Sequence, residues 1–265
     1  MSNKIQNPND QHFGHSIVLF VWTFGIHWPF RLWNLAFQEL AVAMLNILII
    51  ILAAILLIGL LYFENKGNRK GLLPTKTVLS LLFIIAILVQ PHPVPRYYHF
   101  LLVGLVFALI GDVCLALPQQ KMFLLGLVSF LIGHVFYVFG FFSVTHTSAW
   151  TWAGSLVVLI VSGMIYLWLR PHLGKMKIPV VIYMIVISIM ISGACSLLGN
   201  SHLALSGRVM AFLGAVTFYF SDVFVARDRF LKKEFLNRLI GLPLYYTGQF
   251  LLAFSVGLLS WLSSS

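Results

Sequence analysis

Along this chain polar positions do not alternate with apolar ones; they punctuate long runs that are apolar on every side. Eight such runs, 38–62, 72–89, 98–117, 122–142, 150–169, 178–198, 203–226 and 239–262, come near the roughly 20 residues a helix needs to cross a bilayer. A lipid-facing barrel strand would show a period of two, which is missing, so the runs predict helices. The expected fold class is therefore all-α: a polytopic membrane bundle of eight transmembrane helices. Segment 16–37 fits less well, because its Trp and Phe residues are interrupted by His27, Pro29, Arg31 and Asn34. It reads as an interfacial or partly inserted helix, with a ninth crossing as the alternative. It lacks the short basic start and small-residue cleavage site of a signal peptide. The expected division is 1–37, a polar N-terminus with that extra helix, and 38–265, the eight-helix membrane domain.

Composition agrees with this reading. Of the 265 residues, 60% are hydrophobic and 9% charged, against about a quarter charged in soluble domains. Charge then orients the bundle. The connections after spans one, three, five and seven hold thirteen Lys and Arg between Lys66 and Arg238, whereas the other side holds Lys4, Arg31, Arg96 and Arg208. Basic residues collect on the cytoplasmic side, so the odd connections are expected in the cytoplasm, the C-terminus outside, and the protein in the inner membrane. The net charge of +10 thus faces anionic lipid; no compact basic domain offers a nucleic-acid grip. Cys114 and Cys195 both fall inside apolar runs and imply neither a disulfide framework nor a metal site. No histidine pair has metal-ligand spacing within a run, so no metal or cofactor is expected.

Of the seven acidic residues only Asp112 and Asp222 lie in the interior of long apolar runs, Glu39 standing at the very edge of the first; their contexts are Gly111-Asp112-Val113 and Ser221-Asp222-Val223. A carboxylate in hydrocarbon is costly, which makes a pair of them a functional-site hypothesis. Asp112 stands five residues before Leu117 and Asp222 five before Arg227, each roughly 8 Å in from the cytoplasmic side, so the two depths are expected to match. Small residues flank both, allowing close helix packing. Two converging carboxyls can divide the roles of acid and base. The plain alternative is a pair of helix-gluing hydrogen-bond acceptors. At similar depth come Tyr245 and Tyr246, which suit either the site or the interfacial aromatic belt, and Gln249 one turn deeper. Lys76 opens the second run, either snorkelling to the interface or meeting a lipid phosphate. His134 is expected about 10 Å deeper than the aspartates, as a residue lining the site or a satisfied core histidine. A faint internal echo sets Asp112-Val113 and Asp222-Val223 four spans apart.

Taken in order, Gly111-Asp112-Val113, Phe123, Gly126-Leu127, Ser129-Phe130, His134, Tyr137, Ser221-Asp222, Arg229-Phe230, Tyr245-Tyr246 and Gln249 resemble the YhhN-type family of multispanning membrane proteins, which includes the lysoplasmalogenases. The likeness runs from about residue 38 to 262 and includes Lys76. It implies an ether hydrolase that cleaves the vinyl ether of a lysoplasmalogen to a fatty aldehyde and glycerophosphoethanolamine or glycerophosphocholine. The partners so implied are a lysophospholipid substrate and membrane lipids. Asp112 and Asp222 match the suspected catalytic pair, one as acid and one as the ionised group that stabilises an oxocarbenium ion and takes a proton from water. Substrate-binding roles fall to Lys76, Ser129, His134, Tyr137, Arg229, Tyr245, Tyr246 and Gln249, with Lys76 and Arg229 on the phosphate. Two other classes compete for the aspartates. One is a proton-coupled membrane transporter, whose site belongs near the midplane. The other is an intramembrane aspartyl protease, whose Gly-x-Gly-Asp and Tyr-Asp contexts are only partly present here.

Overall fold

The computed structural model describes residues 9–262; of 9–36 it gives the backbone alone, so the interfacial or crossing role expected of 16–37 lies outside what is described. The helices are α1 (Asn9–Lys66), α2 (Arg69–Val89), α3 (Pro95–Ala116), α4 (Gln120–Phe142), α5 (Ala149–Leu169), α6 (Lys177–Leu198), α7 (Leu205–Phe230) and α8 (Phe235–Leu258). Among the described residues eight helical segments are long and apolar enough to cross a membrane, the first being Phe37–Lys66. The chain falls into two compact units, 1–48 and 49–265; the second holds everything discussed below.

Local sequence explains where helices start. The Asn68 side chain accepts from the backbone N–H groups of Lys70 and Gly71 at 3.2 and 3.4 Å, capping α2 just after Gly67 turns the chain at φ 63°. Pro95 opens α3, where its missing N–H costs nothing. Ser148 and Thr151 form a reciprocal capping box at α5. Outward-facing Leu156, Val157, Leu159 and Ile160 of α5 are more than half exposed, as expected of side chains whose solvent is lipid.

The polar end of α7 departs from the expected boundary. Its apolar run stops at Ala226, yet the helix continues one further turn to Phe230 and α8 begins early, at Phe235. The extension is held by pairing rather than by hydrocarbon. Arg227 donates to Glu234 and Asn237, while Arg238 donates to Asp228 at 2.9 Å. The matched depths therefore do not carry over to the helix ends: Asp112 stands four residues before the end of α3, and Asp222 eight before that of α7.

Two helix pairs approach at glycines. A Cβ on Gly133 of α4 would meet the Gly104 carbonyl of α3 at 3.0 Å, and one on Gly248 of α8 would meet the Gly214 carbonyl of α7 at 2.9 Å. Each aspartate lies eight residues beyond the glycine of its own helix. Further packing follows the same scheme, with α2 against α3 as α6 is against α7, and α4 against α6 as α8 is against α2. The faint sequence echo thus corresponds to a recurring arrangement of helices, with both aspartates at equivalent points.

Candidate active site

Asp112 is almost wholly buried, at 1% exposure, and takes donors from two other helices. From α2, Lys76 Nζ lies 3.1 Å from Oδ1, and Ser80, one turn later on the same face, donates to Oδ2 at 2.6 Å. From α8, the Tyr245 hydroxyl donates to the same Oδ2 at 2.6 Å. Both oxygens are engaged and the charge is compensated, which is the condition for keeping a carboxylate among apolar helices.

Asp222 has the equivalent neighbours but different chemistry. The Tyr183 hydroxyl of α6 donates to Oδ2 at 2.7 Å, and His134 Nε2 of α4 lies 3.9 Å from that oxygen, too far for a hydrogen bond. Oδ1 accepts no hydrogen bond within the described residues, and the side chain is 20% exposed. One oxygen is therefore available to a ligand. His134 itself is fully buried between the rings of Tyr183 and Phe218, and neither ring nitrogen has a hydrogen bond of good geometry, although the Phe130 carbonyl one turn back lies beside the ring.

Both carboxyls line one cavity at the end of the bundle where α5 and α7 finish and α6 and α8 begin. Its free interior is about 110 Å³, narrower than the several hundred Å³ of an open small-molecule site. Lys76, Tyr183 and Tyr245 add polar groups near the carboxyls, and Phe123, Leu127, Phe130, Ile165 and Ile187 supply apolar wall. Asp228, Asn237 and Arg238 stand at the polar end of α7 and the start of α8, also lining the space. An apolar cavity with a few convergent polar groups and charged residues at one end has a lining suited to an amphiphile.

The sequence-derived residues divide by position. Lys76, Asp112, Asp222 and Tyr245 line the cavity, and His134 touches it through Asp222. Tyr246 sits one step behind, its hydroxyl 3.3 Å from Ser80 Oγ. Tyr137 donates to Gln249 Oε1 at 2.8 Å, a buried pair whose Gln249 Nε2 has no partner. Ser129 donates to the Phe107 carbonyl and ties α4 to α3. Arg229 lies 4.2 Å above the Phe123 ring. His134 comes nearer Asp222 than its expected depth allows, with Nε2 at 3.9 Å from the carboxyl. Sequence reasoning missed Ser80 and Tyr183. Ser80 carried a usable signal, being four residues after Lys76 and hence on its face; a lone tyrosine in an apolar run carried none. Among the described residues no three His, Cys, Asp or Glu side chains gather as a metal set.

Comparison with known proteins adds an independent line. The model of the YhhN family matches residues 72–256. The chain is 27% identical over 174 residues to a protein named lysoplasmalogenase from Mycobacterium bovis, covering 63% of each chain. It is 31% identical over 157 residues to lysoplasmalogenase TMEM86A of Bos taurus, covering 58% of this chain and 63% of that one. The match thus spans somewhat under two thirds of these relatives' length. No solved structure matches.

Proposed function

The chain belongs to the YhhN family, and on that premise we propose that it is a membrane hydrolase that cleaves the vinyl ether bond of lysoplasmalogens to a fatty aldehyde and a glycerophospho-amine. The observation that carries this reading is that Asp112 and Asp222, on different helices, line a single largely apolar cavity. The names of the relatives supply the reaction class.

The unequal surroundings of the two carboxyls divide the labour. Asp222, with a free oxygen toward the cavity, is the acid. It delivers its proton to the vinyl carbon distal to the ether oxygen, and the resulting oxocarbenium ion is stabilised by the Asp112 carboxylate. In a water-poor site such fixed charge does most of the catalytic work. Water then adds to the oxocarbenium carbon and its proton returns to the emptied Asp222 carboxylate. The hemiacetal so formed collapses to aldehyde and the glycerol hydroxyl. Assigning the returning proton to Asp222 departs from the even division expected from sequence, and Lys76 is the reason. Protonating Asp112 would leave the Lys76 ammonium buried without its counter-ion, a loss of about 3 to 5 kcal/mol. In this reading Tyr245 and Ser80 hold Asp112 in place, Tyr183 holds Asp222, and Lys76 serves the carboxylate instead of a phosphate.

The mouth lies on the side of the basic connections, so by the charge rule the substrate comes from the inner leaflet of the cytoplasmic membrane, with the C-terminus outside. The transporter alternative is less well supported, since the relatives carry an enzyme's name and Asp112 sits within a turn or so of its helix end. Purified protein in detergent is the test. It should release aldehyde from vinyl ether lysolipids and leave ester analogues uncleaved, and Asp222→Asn should abolish release while leaving the protein folded. Ester cleavage without aldehyde, or near-normal turnover in Asp222→Asn, rejects the mechanism.

A further inference from the structure

Nothing in the proposed chemistry uses the charged groups at the cavity mouth. Arg238 Nη2 donates to Asp228 Oδ2 at 2.9 Å, and Asn237 Nδ2 donates to Asp228 Oδ1 at 3.2 Å. Asn237 is almost fully buried and also donates to the Lys232 carbonyl at 2.7 Å, so it fixes the position of Asp228 against the α7–α8 corner. A guanidinium carries five N–H donors, and the Arg238 side chain is 32% exposed with one donor committed to Asp228. The side chain of Asp228 is 9% exposed. A pair serving only to staple α7 to α8 has no need to line a cavity. This one lines the same cavity as Asp112 and Asp222.

Spacing connects the two ends. Asp228 follows Asp222 by six residues on one helix, a rise of about 9 Å toward the mouth. In a lysolipid whose single chain is joined through an ether at the terminal glycerol carbon, phosphorus is five bonds from the ether oxygen. A headgroup amine is four bonds further. At about 1.5 Å a bond, with the zigzag shortening the path, these reach roughly 6 and 11 Å. A lipid with its ether at Asp222 therefore has its phosphate and amine at the level of Arg238 and Asp228.

Resting on the function proposed above, we propose that Arg238 and Asp228 form a headgroup subsite for a zwitterionic phospho-amine. The free guanidinium donors take the phosphate and the Asp228 carboxylate takes the ammonium. A pair of opposite charges matches a headgroup of opposite charges, and it selects against a bare phosphate, which would meet Asp228 at like sign. Arg227 and Lys232 do not compete for the role, because both are engaged with Glu234.

The test separates binding from turnover. Purified full-length protein in an uncharged detergent is assayed by competition against radiolabelled 1-O-alkyl-lysophosphocholine, which has no vinyl group. Arg238→Gln should weaken binding of this lipid roughly tenfold or more, while binding of uncharged 1-O-alkylglycerol stays unchanged. Asp228→Asn should weaken the phosphocholine lipid and strengthen 1-O-alkyl-lysophosphate. The exchange Asp228→Arg with Arg238→Asp should recover the parent's thermal stability without recovering its affinity. Recovery of both, or equal loss for the charged and uncharged lipids, reduces the pair to a staple and overturns the proposal. If the parent releases no aldehyde but Arg238→Gln still loses only the zwitterion, the hydrolytic reading falls and the subsite stands.

Discussion

Asp112 and Asp222 occupy equivalent points in two similarly packed halves of the bundle, each eight residues past the glycine where its helix meets the next, yet only Asp112 faces an ammonium. Helix α2 presents Lys76 to Asp112 where α6 presents Tyr183 to Asp222, and α8 presents Tyr245 where α4 presents His134. Repetition with divergence gives two carboxyls of unlike character from one structural plan, which is what acid and stabiliser require.

Removing Lys76 tests the ion pair. Lys76→Met leaves a buried carboxylate without its counter-ion and should cost about 3 to 5 kcal/mol. Adding Asp112→Leu removes the stranded charge and should recover part of that loss, the remainder being the Ser80 and Tyr245 hydroxyls left without their acceptor. Neither variant should release aldehyde. Denaturant-induced unfolding in mixed micelles checks the first claim, and product assay the second.

The two tyrosines that hold the carboxylates should matter for rate more than for folding. A hydrogen bond to a charged group contributes about 1.5 to 3 kcal/mol, and each 1.4 kcal/mol is tenfold. Tyr183→Phe and Tyr245→Phe should therefore each lower kcat by about one to two orders of magnitude. Tyr246→Phe loses only a contact with Ser80 at 3.3 Å and should lose less than tenfold. Single-turnover rates in detergent distinguish the three.

How much of this the sequence could show depends on whether the information was local. The eight spans were legible because hydropathy is a property of each segment alone, and Asp112 and Asp222 stood out because carboxylates are rare in such segments. The partner of Lys76 was not, since its choice between interface and phosphate ignored a third option that only helix packing supplies. Tyr183 was hidden for the same reason. The last turn of α7 was misjudged because its polar residues are held by Asn237 and Arg238 across the corner, not by lipid. Arg229 and Ser129 were drawn to the site by resemblance; the fold engages one with Phe123 and the other with the Phe107 carbonyl.

Close approach at Gly248 should make α7 and α8 intolerant of any side chain there. A Cβ would meet the Gly214 carbonyl at 2.9 Å and the Phe218 N–H at 3.0 Å, both backbone and neither able to give way. Gly248→Ala should destabilise by about 1 to 3 kcal/mol and Gly248→Val by more. Gly163 of α5 has nothing within 4 Å, so Gly163→Ala should be neutral or stabilise by up to about 1 kcal/mol. Thermal unfolding of the purified proteins checks the contrast.

At the α7–α8 corner, the hydrogen bond from Lys232 is the main influence holding the Glu234 carboxyl below its ordinary value of 4.5, with the nearby positive charges of Lys232 and Arg227 adding to it. A carboxyl with a lowered folded-state pKa contributes stability above its unfolded value and loses it as pH falls through the folded one. The protection of amides in segment 231–237, taken relative to their intrinsic exchange rate at each pH, should stay constant from neutral pH to about 4.5 and fall below it. Glu234→Gln should show the faster exchange already at neutral pH.

His134 offers the sharpest separation of folding from function. Neither ring nitrogen makes a hydrogen bond of good geometry, the Phe130 carbonyl one turn back being the backbone acceptor nearest to serving one of them, and a buried polar atom left unsatisfied is a burden of about 1 to 3 kcal/mol. A residue selected for packing alone would not carry it, whereas a ring 3.9 Å from Asp222 can draw closer when substrate fills the cavity and steady the carboxyl as its proton leaves and returns. His134→Leu should accordingly unfold no more easily than the parent, and by the loss of unpaired polar atoms somewhat less easily. Its kcat should fall about tenfold or more with KM little changed. A variant that is both more stable and equally fast would assign the imidazole to packing and leave Asp222 to act with Tyr183 alone.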